Sequence, residues 1–351
     1  MEEINMDKKE CTTILSRDRI ETASNLLERA SNQLNKILLG REDLHRMVLI
    51  AILSRGHILL EGLPGLGKTA LVKALSQILK LDFKRIQFTP DLMPGDILGT
   101  HILQQKEGGQ REMQFTPGPI FTNILLADEI NRASPKTQSA MLETMQEHSV
   151  TLMGKTRTVP QPFFVLATQN PIELEGTYPL PEAQLDRFLF KLVVENVDSD
   201  VLCEIITTRH RGEPPTAEAS LSADDLELLF ETVDDILLPK PVARYIARVV
   251  NATHPGNSEA PAAVNDYISY GASPRAAIAI AGAARGQALC NKRPTVGFED
   301  VRAVAPAVLN HRLVMNYKAR FDNMTPFSLI GSLLEQLDEA GLNLPDSIKL
   351  D

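Results

Sequence analysis

The stretch His57-Ile-Leu-Leu-Glu-Gly-Leu-Pro-Gly-Leu-Gly-Lys-Thr69 decides the fold. It begins with a short apolar run that ends at a glycine, which predicts a buried strand. Gly62–Thr69 then matches G-x₄-G-K-[ST], whose glycines let backbone N–H groups turn inward around phosphate oxygens. The apolar stripe over Lys68–Lys80 predicts a helix whose positive end faces the same phosphates. With both flanks in place, the motif favours a phosphate-binding loop over a structural glycine turn.

Two acidic residues end another predicted buried strand, Ile124–Ala127. Ligands lie at the carboxyl ends of strands in a parallel sheet, so Asp128 would hold Mg²⁺ there together with the Thr69 hydroxyl. Glu129 would polarise the attacking water as a general base, and a solvated acidic loop is the alternative interpretation. The predicted ATP-binding residues are Gly62, Leu63, Pro64, Gly65, Leu66, Gly67, Lys68, Thr69 and Asp128.

A third apolar strand, Phe163–Ala167, also ends in polar residues, Thr168-Gln169-Asn170. By itself, an asparagine at a strand end is more often a turn former than a ligand. Beside the loop and the acidic pair, Asn170 becomes a candidate to hydrogen-bond the γ-phosphate or to position the attacking water.

Strands alternate with helical stretches up to about residue 195, which predicts a parallel sheet covered by helices on both faces. Beyond Asp198 the pattern is helical, and Pro306 should end the last predicted helix, Phe298–Ala305. The expected fold is therefore an α/β core followed by a small all-α domain. Its predicted divisions are a flexible N-terminus (1–15), the core (16–197), a linker (198–220), the helical domain (221–325) and a C-terminal tail (326–351).

The amino-acid composition argues against nucleic acid as the main partner and against a disulfide framework. The 351 residues carry a net charge of −9, which argues against nucleic acid as the main partner, because phosphate backbones attract a basic face. The absence of tryptophan argues against a platform for stacking bases. The three cysteines are far apart, so they predict neither a disulfide framework nor a metal site, and a reducing cytoplasm is expected. No secretory signal or membrane-spanning run is recognisable in the sequence.

Four segments make the chain resemble the MoxR group of AAA+ ATPases over roughly residues 20–320. Beside the loop, they are Phe88-Thr-Pro-Asp-Leu-Met-Pro-Gly-Asp-Ile-Leu-Gly99, Phe115-Thr-Pro-Gly-Pro-Ile-Phe121, Ala127-Asp-Glu-Ile-Asn-Arg-Ala133, and the long stretch from Gln169 to Phe188. The resemblance implies an AAA+ P-loop core with a parallel sheet sandwiched by helices, and a small all-α lid. It also implies ATP and Mg²⁺ as ligands.

The resemblance assigns further roles by position. Gly62–Thr69 is similar to Walker A and Ile124–Glu129 to Walker B, while Asn170 matches sensor 1. Arg187 matches the arginine finger that reaches a neighbouring subunit's nucleotide, and Arg275 matches sensor 2 on the lid. Without the resemblance, Arg187 would be interpreted as a surface ion-pair residue. The implied catalytic residues are Glu129, Asn170, Arg187 and Arg275.

MoxR-type proteins are expected to form hexameric rings and to act as chaperones, often on partners that carry a von Willebrand A domain. Any such domain would be a separate protein here, because the chain has no D-x-S-x-S signature. Two inserts, His101–Pro117 and Val150–Val159, match the helix-2 insert and the hairpin before sensor 1. A hairpin there can contact a client, and a plain surface hairpin is the equal alternative.

Other functions stay open at this stage. A nucleotide-gated scaffold would bind ATP but hardly turn it over. A nucleic-acid motor is less compatible with the acidic balance. A small-molecule kinase does not need the combination of Glu129, Asn170 and Arg187. Specificity for GTP lacks its sequence signal, since no aspartate follows Asn291-Lys292 at the expected spacing.

Overall fold

Two helices precede the sheet in the computed structural model, which describes residues 15–105, 111–171, 176–209, 214–218 and 221–339. Helix α1 (Arg17–Ile37) begins at Ser16, whose hydroxyl accepts from the backbone N–H of Arg19. Helix α2 (Glu42–Leu53) follows it and packs against it. The predicted flexible N-terminus, 1–15, lies outside the described residues except for Leu15.

Five strands form one parallel sheet in the order β2-β5-β8-β1-β9, which confirms the predicted α/β core. The elements of the core are β1 (Ile58–Glu61), α3 (Lys68–Leu79), β2 (Phe83–Gln87), α4 (Pro94–Leu98), β3 (Gly99–Gln105), β4 (Arg111–Pro117), β5 (Ile124–Asp128), a 3₁₀ turn (Ile130–Arg132), α5 (Pro135–Glu147), β6 (Ser149–Leu152), β7 (Lys155–Thr158), β8 (Phe164–Gln169), α6 (Glu182–Leu185) and β9 (Phe190–Val193).

The central strands are apolar throughout because both faces of the sheet are covered. Successive side chains point to opposite faces, so Leu60 and Leu126 join one hydrophobic cluster, while Leu59 and Leu125 join the other. All four side chains are fully buried. This two-sided burial fixes the register of the sheet, and with it the height at which the polar strand ends emerge.

Both sequence inserts are antiparallel hairpins. Strands β3 and β4 pair from Gly99↔Pro117 to Gln105↔Arg111, and β6 and β7 pair from Ser149↔Thr158 to Leu152↔Lys155. Gly154 takes a φ of +74° at the tip of the second hairpin, a left-handed conformation that glycine adopts without steric cost.

The helical part contains helices and short strands that the sequence does not predict. Its elements are α7 (Ser199–Thr208), α8 (Ala223–Asp235), α9 (Lys240–Asn251), α10 (Ala262–Tyr267), β10 (Ile268–Tyr270), α11 (Pro274–Cys290), α12 (Phe298–Leu309), β11 (Val314–Met315), α13 (Tyr317–Phe321) and α14 (Pro326–Gln336). Strands β10 and β11 form a two-stranded antiparallel ladder, so the lid is not strictly all-α.

Three boundaries differ from those expected. Helix α7 lies within the predicted linker, and α14 lies within the predicted tail, where Leu329 and Leu333 are buried in the core. Helix α12 continues past Pro306 to Leu309. A proline inside a helix removes one hydrogen bond, but Val308 is fully buried, and this packing holds the last turn in place. No helix among the described residues is both long and apolar enough to cross a membrane.

Candidate nucleotide site

The loop between β1 and α3 has the backbone that its glycines predict. Gly65 and Gly67 take φ values of +84° and +78°, and Gly67 is the residue that caps α3. The Lys68 ammonium donates to the Gly62 carbonyl at 2.6 Å, so it lies folded over the loop. Burial lowers the pKa of Lys68, while the charges of Asp128 and Glu129 act in the opposite direction.

The two acidic residues are tied to the neighbouring strand by one hydroxyl. Strands β5 and β8 are adjacent, and the fully buried Thr168 donates to Asp128 Oδ1 at 2.6 Å. The same Thr168 oxygen accepts from the backbone N–H of Glu129 at 2.9 Å. Thr168 therefore fixes the position of the acidic pair at the edge of the sheet.

Glu129 has a left-handed backbone, with a φ of +56°, directly after β5. A side chain other than glycine is uncommon there, and such strain accumulates at functional sites. Its Oε2 accepts from Gln87 Nε2 and from Arg132 Nη1, each at 2.9 Å. Two donors thus hold the carboxylate on which the predicted general base depends.

One cavity of about 420 Å³ collects the predicted residues at the carboxyl ends of the strands. Its lining comprises Pro64, Gly65, Gly67, Lys68, Thr69, Ala70, Arg85, Gln87, Asp128, Glu129 and Asn170. Asn170 is buried at the inner wall, and Arg85 contributes a second cation. A single space therefore contains a phosphate-type loop, two cations, two carboxylates and an amide.

Arg85 and Gln87 were missed by sequence reasoning. Both lie on β2, next to β5, where Gln87 pairs with Asp128 across the two strands. The signal was available in part, because Gln87 ends a strand at the same edge of the sheet as Asp128 does.

The donor set fits a magnesium nucleotide. Backbone N–H groups, the start of α3 and Lys68 attract phosphate oxygens. Thr69 and Asp128 offer hard oxygen atoms that would suit the ion, and no cluster of three or more His, Cys, Asp or Glu side chains able to hold a metal occurs in the described ranges. Mg²⁺ suits such a sparse site, because it takes substrate phosphates and water beside one or two protein ligands.

A second cavity, of about 540 Å³, adjoins the first and shares Gly65, Gly67 and Ala70 with it. Its walls are mainly apolar, and its other lining residues are Leu38, Leu39, Arg41, Leu66, Asn196, Val197, Leu202, Ile205, Arg209 and Pro214. Arg41 donates to the carbonyls of Leu66 and Glu195, and so ties the loop to the segment after β9. Sequence reasoning singled out none of these residues except those in the loop.

The two arginines expected to serve catalysis do not line the first cavity. Arg187 Nη1 donates to the carbonyl of Leu142 at 2.5 Å, on helix α5. Arg275 lies at the start of α11, and its Nη1 is 3.8 Å from Asp186 Oδ2. The fold therefore groups Arg275 with the segment that carries Arg187, away from the loop of the same chain.

Comparison with known proteins gives a consistent result. A family model described as "ATPase family associated with various cellular activities (AAA)" matches residues 57–190, and an AAA lid domain model matches residues 260–330. A proposed ATPase from Cytophaga hutchinsonii has a crystal structure that superposes with a TM-score of 0.84 at 38% sequence identity, covering 92% of this chain and 97% of that chain.

Some curated relatives carry the group's name. Chaperone MoxR1 of Mycobacterium tuberculosis is 45% identical over 309 residues, which is 88% of this chain and 81% of that protein. Protein MoxR of Methylorubrum extorquens is 29% identical over 325 residues, with 88% and 93% of the two chains covered. The uncharacterized protein YeaC of Bacillus subtilis is 41% identical over 312 residues, with 88% and 93% covered. The chain belongs to the MoxR family of AAA+ ATPases.

Proposed function

We propose that this protein hydrolyses ATP with Mg²⁺ in a ring of identical copies and uses the cycle to remodel or mature partner proteins. The observation that carries the proposal is the convergence of Lys68, Thr69, Asp128, Glu129 and Asn170 on one cavity. Family membership supports ATP as the substrate and an oligomer as the working form.

Each of these five residues has a task in the proposed reaction. Lys68 and the loop N–H groups hold the phosphates, and Thr69 and Asp128 hold the metal ion. Mg²⁺, when bound, would neutralise charge on the β- and γ-phosphates. Glu129 accepts a proton from the attacking water, and Asn170 orients that water or the γ-phosphate. The adjoining apolar cavity has the position and composition to receive the purine base.

Completion of the site by a second copy explains where Arg187 lies. The Arg187 side chain does not line the nucleotide cavity of its own chain. A guanidinium nevertheless suits the negative charge that spreads over a transferring phosphoryl group. We assign Arg187 to the nucleotide of the neighbouring copy. Arg275 contacts Asp186, the residue before Arg187, and we assign its part in hydrolysis to this contact.

Two variants separate binding from turnover. Lys68→Ala should abolish ATP binding, because the phosphates lose their only cation from the loop. Arg187→Ala should bind ATP as the unmodified protein does and lose about 10³–10⁵-fold in turnover. Equal loss of binding in both variants, measured by titration with a fluorescent ATP analogue, would place Arg187 outside this role.

A relative's name and two exposed apolar side chains support the proposed client. The chaperone name belongs to the Mycobacterium relative, and we extend it to this chain together with a von Willebrand A domain protein as a candidate partner. The tip of the β6–β7 hairpin exposes Met153, which is 77% accessible, and β3 exposes Leu103. We assign these exposed apolar side chains of the two hairpins to the contact with a client segment. The cysteine spacing supports a reducing, cytoplasmic location.

Affinity capture identifies the client and distinguishes a remodeller from a scaffold. Glu129→Gln should bind ATP, stop turnover and retain its partner, and Met153→Asp added to it should release that partner while ATP binding persists. A nucleotide-gated scaffold would keep its cellular function in the Glu129→Gln variant. Recovery of only single copies in the presence of ATP would contradict the ring.

A further inference from the structure

One buried arginine of the lid, Arg312, binds the segment that carries Arg187. Arg312 follows α12, its side chain is 3% exposed, and a guanidinium has five N–H donors. All five are used: Nε donates to Asp186 Oδ1 at 2.8 Å, and the others donate to the carbonyls of Asp186, Phe188, Leu189 and Val308. Three of these five acceptors belong to Asp186 and Phe188, the residues on either side of Arg187, and a fourth is the carbonyl of Leu189.

The neighbouring lid residue adds a further contact to the same segment. His311 Nε2 lies 3.0 Å from the Phe188 carbonyl, and burial lowers the pKa of this histidine well below its usual range. A neutral imidazole with its proton on Nε2 donates to that carbonyl. The backbone on the C-terminal side of Arg187 is therefore set by two consecutive lid residues.

Asp186 connects the same segment to a second lid helix. Its Oδ1 accepts from Arg312, while its Oδ2 accepts from the Ser273 hydroxyl at 2.9 Å and lies 3.8 Å from Arg275 Nη1. Ser273 also caps α11 by accepting from the Arg275 N–H. One carboxylate next to Arg187 thus joins the start of α11 to the end of α12.

The Arg187 side chain itself is weakly held by comparison. Its Nη1 donates to Leu142, and its buried Nε has no hydrogen-bond partner within the described part of the chain. Its position is therefore governed by the backbone on which it stands, and that backbone is fixed by Asp186 and Arg312. A shift of the lid would therefore move the backbone that carries Arg187.

We propose that Asp186 is a positioning residue that, through Arg312 and Ser273, couples the lid to Arg187 and sets where this side chain is presented to the neighbouring copy. The inference rests on the proposed role of Arg187 in hydrolysis at that copy's site. The lid and the finger of one subunit then move as one unit, so the lid transmits its position to the next site around the ring.

The first test is a double-mutant cycle of Asp186→Asn and Arg187→Ala. Asparagine keeps the size of the side chain and removes the charge that holds Arg312 and Arg275. Asp186→Asn should lower kcat about 10- to 100-fold, as expected when a catalytic group is displaced, and leave the Kd for an ATP analogue unchanged. In the Arg187→Ala background it should change kcat no further, because Asp186 acts through Arg187.

The second test mixes variants within one ring. Lys68→Ala subunits bind no nucleotide but retain Arg187, so they should restore turnover to Asp186→Asn subunits. Arg187→Ala subunits should not restore it. A general loss of folding or of ATP binding would not be rescued in this selective way, so the mixture separates positioning from a purely structural defect.

The matched control is Asp234→Asn. Asp234 on α8 also joins the helical part to the core, through a two-point ion pair with Arg55 at 2.9 and 3.0 Å. Its kcat should match that of the unmodified protein. If Asp186→Asn does not fold, Ser273→Ala takes its place, since it keeps the charges of Asp186 and Arg312 and removes two hydrogen bonds, the one to Asp186 and the one that caps α11. Its kcat should fall about twofold or more, again only when Arg187 is present.

Three results would overturn the proposal: unchanged kcat in Asp186→Asn, a further loss in the Arg187→Ala background, or equal rescue by both partner variants. Failure of the wider function is recognised separately. In that case Arg187→Ala alone would keep full turnover, whatever the behaviour of Asp186→Asn.

Discussion

Arg85 Nη2 lies 2.7 Å from Asp128 Oδ2, and Arg85 Nε lies 3.2 Å from the same oxygen. The other carboxylate oxygen accepts from Thr168. Both oxygens of the proposed magnesium ligand are therefore engaged by donors of this chain. A cation that binds Asp128 must compete with the Arg85 guanidinium for one of them.

This competition predicts the effect of Arg85→Gln on the magnesium requirement. The Arg85 side chain is 48% exposed, so its ion pair is worth about 0.2–1 kcal/mol. Its removal should lower the Mg²⁺ concentration for half-maximal ATPase activity by up to about fivefold. Lys84→Gln is the control, because Lys84 is the next residue on β2 and contacts Phe121 instead. A raised Mg²⁺ requirement would instead indicate that Arg85 binds phosphate.

Ala70 lines both cavities, so a substitution there tests whether one nucleotide occupies the two together. Ala70→Leu should fill the junction and cost about 1–3 kcal/mol of binding through overpacking. This corresponds to a rise in the Kd for ATP of roughly 5- to 150-fold. Lys73→Leu on the exposed face of the same helix should leave the Kd unchanged. A normal Kd for Ala70→Leu would place the base elsewhere.

The core could be predicted because its signals are local. The apolar runs of β1, β5 and β8 are each followed by polar residues, and in a parallel sheet those ends meet at one edge. The position of the cavity follows from this rule. The ion pair between Arg85 and Asp128 does not, because it depends on which strands are neighbours.

The lid could be predicted less completely. Pro306 is a local signal for the end of a helix, yet α12 continues because Val308 and Leu309 are buried against the core. The contact of Arg275 with Asp186 joins two segments far apart in the chain, so no spacing in the sequence announces it. The role of Arg275 is implied by the resemblance alone, and its contact with Asp186 is visible only in the structure.

Contact between the two hairpins gives a prediction about local stability. The Arg157 guanidinium lies 3.9 Å from the centre of the Phe115 ring, so β7 stacks on β4. Arg157→Ala should remove about 0.5–1 kcal/mol of this contact and speed amide exchange in β3 and β4 by about two- to fivefold. Lys155→Ala at the exposed start of β7 is the control and should leave that exchange unchanged. Equal acceleration in both variants would mean that the hairpins are independent.

Buried His57 predicts how stability depends on pH. The side chain precedes β1, its Nε2 donates to the Met145 carbonyl and its Nδ1 accepts from the Val165 N–H, each at 3.1 Å. Burial lowers the pKa of His57 to about 4, against an ordinary value of 6.5. Protonation at Nδ1 would leave the buried Val165 N–H without its acceptor, so the folded state holds His57 in its neutral form.

The sign follows from the lowered pKa. Between pH 6.5 and 4, the unfolded chain binds a proton at His57 that the folded chain does not, so stability falls as the pH is lowered. The slope from one such group is about 1.4 kcal/mol per pH unit, or roughly 3 kcal/mol over the whole window. His57→Gln should flatten the pH profile of the unfolding free energy by this amount, as measured by urea denaturation. His45, with a pKa of about 4, and His311 continue to titrate in the variant, so some slope remains. Above pH 7.5 the two profiles should run parallel, and parallel profiles below pH 6.5 would contradict the assignment.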